Sequence, residues 1–229
     1  DIKIVVMSAT IAHKKFVDFF GGEEVCSVVK VPGRSHPVDL FYTPMPEPDF
    51  LEAALIAIMQ IHQDREKGDI LVFLPGQEDI EGLVSILQDK RKLLAQHKRK
   101  DGSALDDLLI APIFAALPFE QQIAVFNPAP ANTRKVVIGT NIAETSITIN
   151  GIRYVIDAGF VKLKVCHPAT GVEILKLSGT SRASADQRSG RAGREAPGEA
   201  YRLYEEGEYG KMLAQTPPEI VRVEMASVY

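Results

Sequence analysis

The chain has no tryptophan, only two cysteines and no long apolar run, and each shortage excludes a class of protein. No stretch approaches the ~20 apolar residues that a membrane-spanning helix needs. Residues 1–20 lack the basic start, long apolar centre and small-residue cleavage site of a signal peptide, so the chain is expected inside the cell rather than secreted. Cys26 and Cys166 are too few for a disulfide framework and suit a reducing compartment. The five histidines (His13, His36, His62, His97 and His167) stand far apart without metal-ligand spacing, and neither cysteine has a neighbour that would make a catalytic dyad. A phosphate loop of the form G-x-x-x-x-G-K-S/T is also missing, because Gly210-Lys211 is followed by Met212 and has Glu205 where the first glycine of the pattern would stand. No acidic box stands at a strand end to hold Mg2+.

What remains is an ordinary globular balance: 229 residues, 45% apolar and 24% charged, with 17 glycines and 14 prolines. That excludes a disordered, collagen-like or coiled-coil chain, and the length corresponds to roughly one and a half domains. The net charge of −4 argues against a nucleic-acid partner only on average. Between residues 160 and 194 seven cations (Lys162, Lys164, Lys176, Arg182, Arg188, Arg191 and Arg194) face two anions, Glu173 and Asp186, a local +5 that leaves −9 for the rest. Segregated charge of this kind marks a binding surface.

Short β-branched runs alternate with helical patterns, which predicts an α/β fold with a mainly parallel sheet and crossover helices. Strands are expected at 2–7, 25–31, 38–42, 70–74, 108–114, 135–139, 153–156 and 200–204, the last closing the sheet. Helices are expected at 13–20, ended by Gly21-Gly22, and at 49–63, where Leu51, Leu55 and Ile58 repeat at helical spacing. A third follows Pro75-Gly76 with Ile80, Leu83, Val84 and Leu87 on one face, fading into a basic stretch over 90–100. That stretch reads as a solvated helix end or an added ligand contact. Residues 161–165 and 172–177 flank a turn and predict a β-hairpin.

Four segments carry candidate chemistry. Gln187-Arg188-Ser189-Gly190-Arg191-Ala192-Gly193-Arg194 spaces three arginines at i, i+3 and i+6, which on a helical turn would project to one side. Guanidinium forks grip phosphate oxygens at any working pH, and glycines inside a helix demand a reason. The alternative is a solvated basic face. Thr140-Asn141-Ile142-Ala143-Glu144-Thr145-Ser146 follows a strand directly, where α/β sheets place ligands; alone it is equally a capped turn. Gly76-Gln77-Glu78-Asp79 resembles a helix start with acidic residues near its amino end. Ser8-Ala9-Thr10 ends the first expected strand and alone says nothing.

Together these segments, with Phe73-Leu74-Pro75-Gly76-Gln77-Glu78 and residues 140–149, resemble in order and spacing the motifs III, IV, V and VI of a DEAH-box ATP-dependent RNA helicase of superfamily 2. Residues 33–38 and Arg202-Leu203-Tyr204 belong to the same resemblance. It implies the second of two RecA-like domains, with a mainly parallel sheet, helices on both faces and a projecting β-hairpin. Residues 1–37 would be the tail of the first RecA-like domain and the crossing, and residues 38–229 the second. ATP with Mg2+ and RNA are the implied ligands. The phosphate loop, the metal ligands and a winged-helix region would be supplied in cis by parts outside this chain, with a protein activator possible and no membrane.

By the same resemblance Arg191 and Arg194 are arginine fingers and Gln187 helps to place the attacking water. Phe126 stacks on adenine, unless it is a helix-end core residue, and Asn150 and Arg188 touch the nucleotide. Gly76, Thr140, Asn141, Thr145, Lys162 and Lys164 contact RNA, and Ser8, Ala9 and Thr10 couple ATP to RNA. Two positions depart from the family pattern: Asn150 stands where many members have Asp, and Pro75 where many have Thr. Alternative readings are a non-catalytic binding module that kept the fold, and a DNA helicase of the same superfamily.

Overall fold

In a computed structural model the described residues are 2–7, 13–31, 33, 35–94, 104–145, 147–167 and 170–223. They divide into two units, Asp1–Arg34 and Ser35–Tyr229. In the first unit α1 (His13–Phe19) forms as expected. It is followed by Gly21 and Gly22 at φ +103° and +91°, a left-handed reversal that favours glycine. The strands expected at 2–7 and 25–31 do not form. Their apolar side chains face solvent, Ile2 at 92% and Met7 at 87%. An extended run becomes a strand only when a neighbour satisfies its backbone, and among the described residues of this unit there is none. Ser8, Ala9 and Thr10 lie outside the described residues.

The second unit alternates as the sequence predicts. β1 (Val38–Tyr42), α2 (Phe50–Asp64), β2 (Asp69–Phe73), α3 (Gln77–Leu94), β3 (Asp107–Ile113) and α4 (Phe119–Ala124) come first. They are followed by β4 (Thr133–Gly139), α5 (Ile142–Thr145), β5 (Ile152–Asp157), β6 (Phe160–Cys166), β7 (Glu173–Gly179), α6 (Arg182–Ser189), β8 (Gly198–Arg202) and α7 (Glu206–Lys211). Six strands make one parallel sheet in the order β1-β8-β5-β2-β4-β3, the expected RecA-like α/β architecture. β8, read from sequence as closing the sheet, instead inserts between β1 and β5. Asp49 caps α2 by accepting from Leu51 N at 2.9 Å and Glu52 N at 3.1 Å.

Strand β2 is apolar along its length because both of its faces are covered. Ile70 and Val72 pack with Ile58 and Ile61 of α2 and with Ile80, Leu83 and Leu87 of α3. Leu71 and Phe73 face the other way, onto Val137, Val155, Ala143, Ile149 and Ala192. That second cluster lies directly beneath the two segments richest in candidate chemistry. β6 and β7 pair antiparallel from Phe160↔Gly179 to Cys166↔Glu173, so the expected hairpin stands as its own two-stranded sheet. Pro168 and Ala169 of its turn, and residues 95–100 of the basic stretch, lie outside the described residues.

Candidate functional site

The chain leaves β4 through Gly139, where a Cβ would sit 2.6 Å from Ile113 Cγ2, and enters the loop that carries α5. Facing this loop is the carboxyl end of α6. Ser181 caps that helix through Ser184 N at 3.2 Å, and the helix ends at Ser189. A tight turn follows, with Arg191 N on Arg188 O and Ala192 N on Ser189 O, both at 3.1 Å. The three arginines therefore do not share one helical face, contrary to the spacing argument. Gly193 has the reason its glycine requires: a Cβ there would lie 2.6 Å from His36 O and 2.7 Å from Val38 Cγ2.

Arg188 turns into the interior at 2% exposure. Its Nε donates to Glu144 Oε2 at 3.1 Å, and its Nη1 to Asp157 Oδ1 at 2.6 Å and Phe160 O at 3.3 Å. The guanidinium also lies 5.1 Å from the Phe73 ring centroid. With its fork on two carboxylates and a carbonyl, Arg188 ties β5, the hairpin root and α5 together. The nucleotide contact expected of it would come on top of these three bonds, which already engage its Nε and Nη1. Sequence reasoning gave Glu144 and Asp157 no role; a carboxylate ending the apolar run of β5 was the available signal.

Arg191 and Arg194 reach the loop instead. Arg191 donates to Ile147 O at 2.6 Å and to Glu144 O, so Glu144 is held by its carboxylate through Arg188 and by its carbonyl through Arg191. Arg194, exposed, donates to Thr148 Oγ1 at 2.5 Å. Among the described residues neither Arg191 nor Arg194 has a carboxylate within ion-pair distance, whereas Arg188 and Arg202 do. Arg191 is only 7% exposed; burial first, and the charge of Arg194 second, push its guanidinium down to about 10. Two adjacent cations, one buried and neither neutralised, leave a place for an anion.

Gln187 is half-buried on α6, one residue before Arg188. Asn150 is exposed in the turn before β5, and the following Gly151, at φ +85°, donates to Glu195 Oε2 at 3.1 Å, beside Arg194. Phe126 follows α4 with its ring 42% exposed. Thr140 is half-buried, and Asn141 and Thr145 are exposed on the loop. The structure brings Gly76 and Lys162 together: Lys162 Nζ lies 2.5 Å from where a Gly76 Cβ would stand, and 3.6 Å from Glu78 Oε2. Lys164 pairs with Glu173 on the other hairpin strand. Among the described residues no cluster of three His, Cys, Asp or Glu could hold a metal. No helix among them is long and apolar enough to cross a membrane.

Residues 52–196 match the model of the helicase conserved C-terminal domain. The chain is 48% identical over 227 residues to the pre-mRNA-splicing factor ATP-dependent RNA helicase DEAH10 of Arabidopsis thaliana, covering 99% of this chain and 30% of that protein. It is 48% identical over 223 residues to the pre-mRNA-splicing factor ATP-dependent RNA helicase prp22 of Schizosaccharomyces pombe, covering 97% of this chain and 18% of that protein. Two solved structures of the Escherichia coli helicase HrpB, described as a DExH-box NTPase and a DEAH/RHA helicase, superpose with TM-scores of 0.73 and 0.74. Both are 35% identical, covering 86% of this chain and 23% and 24% of those chains. The chain thus spans less than a third of each relative.

Proposed function

Because the chain belongs to the helicase C-terminal domain family, as the second RecA-like domain of a DEAH-box RNA helicase, we propose that it supplies one wall of a nucleotide site and one side of an RNA track. The observation that carries this reading is the unneutralised pair Arg191 and Arg194, held at the edge of the loop that follows β4. Their partner is the γ-phosphate of ATP, bound by a preceding RecA-like domain. Gln187 helps to position the attacking water. Phe126 stacks on the base, and Asn150 hydrogen-bonds the ribose with both a donor and an acceptor. Mg2+ would be held by that other domain and would supply counter-charge to the phosphates. Arg188 acts by positioning: it fixes Glu144, and with it the loop that Arg191 grips.

On the RNA side, Gly76, Thr140, Asn141 and Thr145 offer backbone and hydroxyl contacts to phosphates, and Lys162 adds charge from the hairpin. Lys164 reaches a phosphate only by leaving Glu173. Ser8, Ala9 and Thr10 couple the two sites. Energy is transferred by differential binding: ATP draws the arginines onto its γ-phosphate and closes the domains, and hydrolysis releases them. That two relatives are named pre-mRNA-splicing factors supports a role in nuclear RNA processing for the full-length protein.

The test compares the full-length protein with the 229-residue chain in an RNA-stimulated ATPase assay. Hydrolysis is expected from the first and none from the second, because the chain contains no phosphate loop. Turnover by the isolated chain would overturn the shared-site reading.

A further inference from the structure

Lys135 is a buried cation that neither the nucleotide wall nor the RNA track uses. It sits on β4 with its side chain 1% exposed. Its Nζ donates to Val125 O at 3.0 Å and Asn127 O at 2.9 Å, the carbonyls on either side of Phe126. The same Nζ lies 3.8 Å from Asp69 Oδ2, and the backbone N–H of Lys135 donates to Asp69 Oδ1 at 2.9 Å. Asp69 in turn donates its own N–H to Gly151 O at 2.9 Å. Its carboxylate comes so near Gly151 that a Cβ there would lie 2.8 Å from Oδ2. One buried ion pair therefore touches both the turn that presents Phe126 and the turn that presents Asn150. Asp69 and Gly151 line a cavity of about 270 Å³ together with Ala129 and Pro130, which follow the Phe126 turn in sequence.

Burying an ammonium costs several kcal/mol, and an apolar side chain would fill the same space without that cost. Burial pushes the Lys135 amine down against the pull of Asp69, and pushes the Asp69 carboxyl up. What the cation supplies is rigidity at a particular place. α4 has six residues, and beyond it the turn is held by Phe126 N on Ile123 O at 3.0 Å and Asn127 N on Ala124 O at 3.2 Å. Without Lys135 the carbonyls flanking Phe126 lose their buried donor, and the ring loses its fixed direction.

We infer that Lys135, backed by Asp69, is a positioning residue that holds Phe126 at the angle needed to stack on the nucleotide base and keeps the Asn150 turn in register with it. The inference rests on the stacking reading of Phe126. It has a signature that general destabilisation lacks: only ligands carrying a base should feel the loss.

The experiment measures, by calorimetry on the full-length protein, the Kd of ADP and of base-free ribose 5-diphosphate. Phe126→Ala is expected to weaken ADP about tenfold, in keeping with the value of base–aromatic stacking, and to leave the base-free ligand unchanged. Lys135→Met should weaken ADP by roughly fivefold, a large part of the same stacking term, with the base-free ligand again unchanged. The double variant should be no weaker than Phe126→Ala alone, because both changes remove one interaction. If Phe126→Ala leaves ADP binding intact, the stacking reading falls and this inference with it. If Phe126→Ala weakens ADP but Lys135→Met does not, or weakens both ligands alike, the inference alone is overturned. Should Lys135→Met fail to fold, Lys135→Arg and Asp69→Asn preserve the volume of the pair and are read by the same ratio; an unchanged ratio in both overturns it.

Discussion

At the residue scale the division of labour among three arginines is set by what each guanidinium finds within reach. Arg188 finds Asp157 and Glu144, 31 and 44 positions away in sequence, and is buried. Removing it would leave two buried carboxylates without a counter-charge, which typically costs about 3–5 kcal/mol. Arg188→Met in this chain should therefore lower the melting temperature by on the order of 10 °C for a domain of this size. A shift of about 2 °C or less, near the value of a single kcal/mol, would show that the network matters little. Arg191 finds carbonyls and the repulsion of Arg194 instead. With its value at about 10 it remains a cation at pH 7 and loses its charge only as pH rises through that value. The inward turn of Arg188 was not legible in the sequence. Equal spacing makes three arginines look equivalent, and only tertiary partners distinguish them.

At the element scale the patterns that rest on local physics were legible. α2 followed from Leu51, Leu55 and Ile58 at helical spacing. The hairpin followed from two alternating runs around a turn. The strands expected at 2–7 and 25–31 failed because β-branched composition does not provide a partner. The place of β8, inside the sheet, depends on long-range pairing that no local pattern encodes. The hairpin's contact with Gly76 was equally invisible, although both ends of it were singled out as RNA contacts.

That contact makes a prediction about the hairpin as an element. Gly76→Ala puts a Cβ where Lys162 Nζ and Cε now lie, and the flexible end of a lysine moves aside readily. Stability should change by less than about 1 kcal/mol, the ordinary range for a change that meets only a mobile side chain. RNA affinity of the full-length protein should fall, with the slope of log affinity against log salt reduced by about 1, the value for one lost phosphate contact. Lys162→Ala should reproduce that slope. If Gly76→Ala changes the slope while Lys162→Ala does not, the lysine is not the phosphate contact.

At the scale of the whole molecule, the net charge of −4 is segregated along the sequence, which is what the proposed RNA track requires. The +5 segment carries the hairpin, α6 and the arginine turn, and the rest of the sequence carries −9. The two clusters of the core extend this logic, one face of the sheet anchoring α2 and α3 and the other carrying Ile149 and Ala192 beneath the loop and the arginines. Fold class and family were therefore readable from pattern and motif, while the internal wiring of the site was not. Glu144 connects Arg188 to Arg191, and Lys135 connects Phe126 to Asp69; each joins residues far apart in sequence that the fold brings within about 3 Å, the ordinary hydrogen-bond distance.

The measurement that bears most directly on this account is steady-state ATP hydrolysis and RNA binding by full-length Arg191→Ala. If Arg191 meets the γ-phosphate in the transition state, RNA-stimulated kcat should fall by about 10³-fold or more, the range for a lost arginine finger, while RNA Kd changes only slightly. Equal losses in kcat and RNA affinity, or a kcat within a few-fold of wild type, would contradict it.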